Sequence, residues 1–252
     1  MITTPLAVQL YTVAEQMAAD RKGVLAQLAA FGYGAVEPFG ILDDPGGLHA
    51  DLAAAGLEVC GVHANPVGEQ SEAVVGAART LGADTIIVPY LPPARFADAD
   101  GVREVAGELN AASRRIADAG LRLGYHNHDF ELSSTIGGRP ALEVLADRLA
   151  DEVLLEIDTY WAAVGLGQPQ AVPNLLRRLG ERVRYLHVKD GPATSRDDDM
   201  TAVGAGRMPV AEILAANPSV RWHVVEMDRC ATDMMTAVRD SRTWLVSQGL
   251  AR

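Results

Sequence analysis

Aromatic side chains make up only 5% of this 252-residue sequence, cysteines number two, and no stretch approaches the roughly 18 apolar residues that a membrane-spanning helix needs. Cys60 and Cys230 lie far apart and form no CxxC pair, which argues against a disulfide framework and for a reducing compartment. Both are expected to be small buried apolar residues. The first ten residues, MITTPLAVQL, lack the basic segment and apolar run of a secretory signal, so a cytoplasmic location is expected. Basic residues are the minority, 22 Lys and Arg against 33 Asp and Glu, a net charge of -11, and they form no block or helix face. A binder of phosphate backbones needs the opposite balance, so neither nucleic acid nor membrane is expected as a partner. Also missing are a GxGxxG turn at the first strand, which a dinucleotide fold requires, and any linker or low-complexity tract that would divide the chain. One domain over residues 1–252 is the expectation.

What the sequence does have is a rhythm. Short β-branched or alternating runs (PLAVQLY, YGAVEPFG, LEVCGVHAN, DTIIVPYL, LRLGYHNH, VLLEIDTYW, VRYLHVKD, RWHVVEMD) alternate with Ala/Leu/Arg-rich helical stretches. Several of those helices end at a glycine, namely Gly32, Gly56, Gly82, Gly120 and Gly180. Eight βα units are the number that closes a (β/α)₈ TIM barrel, and near-continuous apolar strands suit a parallel sheet buried on both faces. The fold class expected is therefore α/β, a single-domain (β/α)₈ barrel.

A barrel of this type carries its active site at the C-terminal ends of its strands, and that is where the polar residues fall. Gln9 and Tyr11 end the first run, Glu37 the second, His63 and Asn65 the third and Tyr90 the fourth. His126, Asn127 and His128 end the fifth, Glu156 and Asp158 the sixth, His187, Lys189 and Asp190 the seventh, and Glu226 and Asp228 the eighth. Asp158, His187 and Glu226 come from consecutive strands and can meet near the barrel axis, as a carboxylate and imidazole set suited to Mn²⁺, Co²⁺, Zn²⁺ or Mg²⁺. A fourth ligand would come from YHNHDFE, residues 125–131, which offers His126, His128 and Glu131. Taken singly, a strand-end carboxylate is more often a helix cap or surface group; the common location of these residues is what argues for a site. Glu37, His63 and Lys189 are candidate substrate-binding groups, as is Trp161, whose ring can face a sugar or simply fill the core. The loop of residues 191–208 is a candidate lid, and its three consecutive aspartates are expected to be solvated.

Over essentially its whole length the chain resembles the xylose isomerase-like TIM-barrel superfamily, in the branch called sugar phosphate isomerase/epimerase. The motifs that carry the resemblance are LGYHNHDFE, EIDTYWAAVGLGQP, LHVKD with the GAG turn after it, and VVEMD. The resemblance implies one divalent metal held by a Glu–Asp–His–Glu set, which assigns Asp158, His187 and Glu226. Many members place Glu at the tip of the fifth strand, as ENH, where this chain has His126-Asn127-His128. Either Glu131 folds back to restore the carboxylate, the assignment preferred because it keeps the charge of the set, or His126 takes the position.

The activity implied is isomerisation or epimerisation of a sugar or keto-sugar through an enediolate, with manganese the first choice of metal. Glu226, His126 and His128 are the candidate proton carriers. The alternative is a lyase on the same scaffold, of the inosose dehydratase or 3-keto-glycoside hydratase or eliminase type, and the remote alternative a non-catalytic sugar-binding barrel. A DNA-repair endonuclease shares the barrel, but Trp161 stands where another histidine would be expected, and the net charge opposes DNA. The expected partner is a small-molecule carbohydrate; no clustered Arg and Lys cradle points to a phosphate, and homo-oligomerisation is left open.

Overall fold

The strands of the computed structural model, which describes residues 4–252, run parallel in one sheet that curls nearly into closure. In chain order they are β1 (Leu6–Gln9), β2 (Ala35–Glu37), β3 (Glu58–Val59), β4 (Val62–His63), β5 (Thr85–Val88) and β6 (Arg122–His126), then β9 (Leu154–Asp158), β10 (Val183–Val188) and β11 (Trp222–Val225). A short antiparallel hairpin, β7 (Thr135–Ile136) with β8 (Arg139–Pro140), stands apart from them. The spatial order is β3-β2-β1-β11-β10-β9-β6-β5-β4. Because β3 and β4 are two halves of one run, the nine segments make an eight-unit, nearly closed TIM barrel.

The closure is local to residues 58–64. The Cys60 amide donates to Val36 O at 3.0 Å, on the β2 side, and the Ala64 amide donates to Ile87 O at 3.0 Å, on the β5 side. Between them sits Gly61, where a Cβ would lie 3.2 Å from both Glu37 Oε1 and the Ile87 side chain. Glycine here leaves room for a carboxylate inside the barrel. Tyr185 fills the layer below, its hydroxyl reaching Cys60 O at 3.0 Å and Thr85 Oγ1 at 3.1 Å.

The helices form where apolar spacing and caps coincide. In Ala99–Ala117, Val102, Val105, Ala106, Leu109, Ala112 and Ile116 make one buried stripe at helical spacing, and Asp98 caps the start through the amides of Asp100 and Gly101. The helices Ala14–Phe31 and Pro45–Ala55 end on Gly32 and Gly56, both left-handed, as their sequences predict. One helix is not apparent from periodicity: Thr159–Leu166 is almost wholly apolar and starts directly at the end of β9, with Asp158 as its cap. Among the described residues no helix is long and apolar enough to cross a membrane.

Candidate metal and substrate site

Side chains two apart on a strand share a face, so Glu156 and Asp158 both point into the barrel from β9, as do His187 and, just past the strand end, Lys189 from β10. Register then brings neighbours level. His126 pairs with Glu156 across β6 and β9, His187 with Asp158 across β9 and β10, and Gln9 with Glu37 across β1 and β2. At the C-terminal end of the barrel one donor atom from each of His126, Asp158, His187 and Glu226 lies within 4.8 Å of the other three, all of them buried.

Asp158 does two things at once. Its Oδ1 accepts the Trp161 amide at 2.8 Å, capping the helix that follows, while Oδ2 is buried beside Lys189. Lys189 Nζ is 2.7 Å from that Oδ2, from Glu226 Oε2 and from Asp228 Oδ2. The ammonium is thus shared among three carboxylates at equal distance, holding the place between Asp158 and Glu226 that a metal ion would contest.

The histidines are oriented from below. His126 Nδ1 meets Glu156 Oε2 at 3.0 Å, leaving Nε2 on the Asp158 side, 4.0 Å from Oδ2. His187 Nε2 meets Glu37 Oε2 at 2.7 Å, and its Nδ1 meets Glu226 Oε2 at 2.6 Å. Glu37 is fixed in turn by Gln9 Nε2 at 2.8 Å, and His63 Nε2 lies between Glu156 at 2.7 Å and Glu37 at 3.1 Å. An imidazole whose far nitrogen donates to a carboxylate keeps its other lone pair free and aimed, as in carboxylate–histidine–metal arrangements. His63, His126, Glu156 and His187 also gather closely enough to hold an ion. Neutral imidazole has one lone pair, so His126 serves one group of donors or the other, and Glu156 behind its Nδ1 suits the one at the barrel mouth; in His187 burial opposes the charge but Glu156 and Glu226 hold the ring well above its usual range, so a metal there would have to displace its proton.

Electrostatics follow from burial and contacts. Burial opposes the charge on Glu226, but Lys189 and His187 hold its carboxyl well below the usual range. Burial raises Asp158 to about 6, with Lys189 pulling the other way. Burial keeps His126 neutral, well below its usual value, against the pull of Glu156. For His63 burial is outweighed by Glu37 and Glu156, which hold it up at about 10. His128 is pushed down to about 4, first by burial and then by Lys189. A set of two imidazoles and two buried carboxylates, with one neutral histidine whose free nitrogen faces Asp158, fits a divalent ion.

Glu131, the fourth ligand preferred from sequence, is placed elsewhere. Its Oε1 accepts from Tyr125 Oη at 2.6 Å and its Oε2 from the His128 amide at 2.8 Å, and it lies outside the ligand group. His126 stands in that place. Glu37 also departs from expectation: it is fully buried and paired with Gln9 and His187 rather than facing the cavity. Glu156, seen in sequence at a strand tip but given no role, is the hub for three histidines, and its spacing of two from Asp158 was the available signal.

A cavity of about 350 Å³ opens above the group. His63, His126, Lys189, Glu226 and Asp228 make its polar part, and Tyr11, Phe39, Tyr90, His128 and Trp161 its flat walls. The Trp161 ring centre is 5.5 Å from Lys189 Nζ. The loop of residues 191–208, the candidate lid, is tied at both ends to one side chain: Asp190 Oδ1 accepts the amides of Gly191 and Met208, and Oδ2 those of Gly204 and Gly206.

No curated protein matches the sequence significantly. Solved structures do match in fold. A sugar phosphate isomerase/epimerase from Parabacteroides distasonis superposes with a TM-score of 0.81 at 20% identity, covering 100% of this chain and 96% of that one. An L-ribulose 3-epimerase gives 0.68 at 14% identity, over 99% and 95% of the two chains. An IolI protein with a bound zinc atom gives 0.68 at 12%, over 96% and 97%. The family model of xylose isomerase-like TIM barrels matches residues 25–247. With that span inside one nearly closed barrel and the buried polar cluster at its C-terminal mouth, the chain belongs to the xylose isomerase-like TIM barrel family.

Proposed function

We propose that this protein is a divalent-metal-dependent isomerase or epimerase of a sugar or keto-sugar. What carries the proposal is the convergence of His126, Asp158, His187 and Glu226 at the floor of a cavity sized for a small ligand. Those four residues would hold the ion. Two nitrogens with two oxygens suit zinc or cobalt better than the manganese expected from sequence, since imidazole ligands favour the later metals and an all-oxygen set the harder ones. When bound, the ion supplies Lewis acidity toward a carbonyl and its neighbouring hydroxyl.

The protein's own groups supply the proton chemistry. Glu226, ionised and in the cavity wall, is a base for a C–H next to the carbonyl. His128 also lines the cavity, and its ring is a second candidate to take or return a proton, from a different strand end. A base on one side and a proton carrier on another is what inversion at carbon requires. A second reading is favoured by Lys189: an ammonium at the cavity, hydrogen-bonded to Asp228, is an acid placed to protonate a departing hydroxyl, which makes the same deprotonation a dehydration.

The test is incubation of the purified protein with ketoses and keto-glycosides in D₂O. Deuterium should enter at the carbon beside the carbonyl, and exchange should stop with a chelator or with Asp158→Asn. Loss of water seen by mass spectrometry would select the lyase. No exchange and no bindable divalent metal would overturn both enzyme readings.

A further inference from the structure

The scarce aromatic residues are not spread over the molecule. Of 13 Phe, Trp and Tyr side chains in the sequence, Tyr11, Phe39, Tyr90 and Trp161 line this one cavity. Of the large apolar side chains left exposed among the described residues, three of five are Tyr11, Phe39 and Tyr90, at 51%, 38% and 50%. They follow β1, β2 and β5, so they come from three separate loops and meet only at the barrel mouth. Tyr11 packs edge-on to Phe39 with ring centres 5.4 Å apart, and Tyr90 edge-on to His128, also at 5.4 Å. Rings exposed together at the entrance to a polar floor favour a ligand that is polar at one end and flat and apolar at the other.

The cavity's cations are already engaged. Lys189 sits against three carboxylates and His63 against two. Among the described residues no arginine and no second lysine lines the cavity to meet a phosphate, and Glu226 and Asp228 repel one.

We infer that the substrate is an unphosphorylated sugar derivative carrying an aromatic or similarly flat apolar substituent, a glycoside with an aryl aglycone, whose sugar reaches the polar floor while the aglycone stacks at the collar of Tyr11, Phe39 and Tyr90. This rests on the cavity being the substrate site proposed above. The collar is not simply surplus core, because its rings remain substantially exposed and stand together at one opening.

The experiment is a calorimetric titration of the zinc-loaded protein with matched phenyl and methyl glycosides of glucose, galactose and xylose. In at least one pair the phenyl member should bind about tenfold tighter, the gain from two ring contacts. Phe39→Ala and Tyr90→Ala, both at exposed positions, should each shrink that ratio. Zinc affinity, measured in the same samples, tests the metal-site proposal separately and should not change. Equal affinity within every pair, no phenyl glycoside binding at all, or tighter binding of sugar phosphates would overturn the inference. So would a finding that the two alanine variants break a dimer by sedimentation while leaving the ratio intact, since the collar would then be covered by a second copy of the chain.

Discussion

Replacing Glu156 by Gln probes the least expected part of the site. The carboxylate is fully buried, and its Oε2 lies 2.7 Å from His63 Nε2, 3.0 Å from His126 Nδ1 and 3.2 Å from His187 Nε2. A glutamine keeps the shape but has one accepting oxygen, and its amide hydrogens would face ring N–H groups. His126 would lose both the charged acceptor that holds its proton on Nδ1 and the aim of its Nε2. Losing such a partner behind a metal-binding histidine lowers metal affinity about 10- to 100-fold, roughly 1.4–2.7 kcal/mol. The assay is competition for zinc against a chromophoric chelator, which reads affinity independently of turnover. Glu131→Gln is the matched control: its carboxylate is as buried but is committed to Tyr125 and the His128 amide, so zinc affinity should stay at the wild-type value. Unchanged affinity in Glu156→Gln, or a loss in Glu131→Gln, would refute the assignment of His126 as the fourth donor and of Glu156 as the group that orients it.

Other perturbations read other parts of the structure. Burial raises Glu131 to about 7 from an ordinary 4.5, so the folded state keeps this proton longer than the unfolded chain. Stability should therefore decline as pH rises from 4.5 to 7, by about 3 kcal/mol, and level off above that. In urea melts across that range the difference in stability between wild type and Glu131→Gln should show this slope, because Asp158 and the other shifted groups are common to both. Lys189→Met removes the one ammonium beside Asp158, Glu226 and Asp228; the metal-free protein should lose several degrees of Tm while zinc binds more tightly, because the cation no longer competes for the two donor carboxylates. Asp190→Ala leaves four backbone amides of residues 191–208 without their acceptor, and a loss of about 3 kcal/mol or more should appear as a lower urea midpoint, with proteolysis starting in that loop.

The barrel was legible in the residues themselves. Apolar strand runs, amphipathic stripes such as Val102 to Ile116, and glycines at positions such as Gly32 and Gly56 are local signals, because propensity, spacing and capping act over a few residues. That Asp158, His187 and Glu226 would approach one another also followed, since the strand ends of a barrel share one mouth. The helix Thr159–Leu166 was not visible: its face is apolar all round, and periodicity has nothing to register.

Sequence by itself thus determined the architecture and three of the four converging donors. Only the tertiary structure brings His126 and not Glu131 beside them, because that depends on where each carboxylate of the barrel interior finds its partner. Glu131 spends both oxygens on Tyr125 and the His128 amide, groups from its own strand and turn, while His126 is levelled with Glu156 by the pairing of β6 with β9. The same holds for the collar. Tyr11, Phe39 and Tyr90 are far apart in the chain and carry no shared motif, and only closure of the sheet puts their rings around one opening.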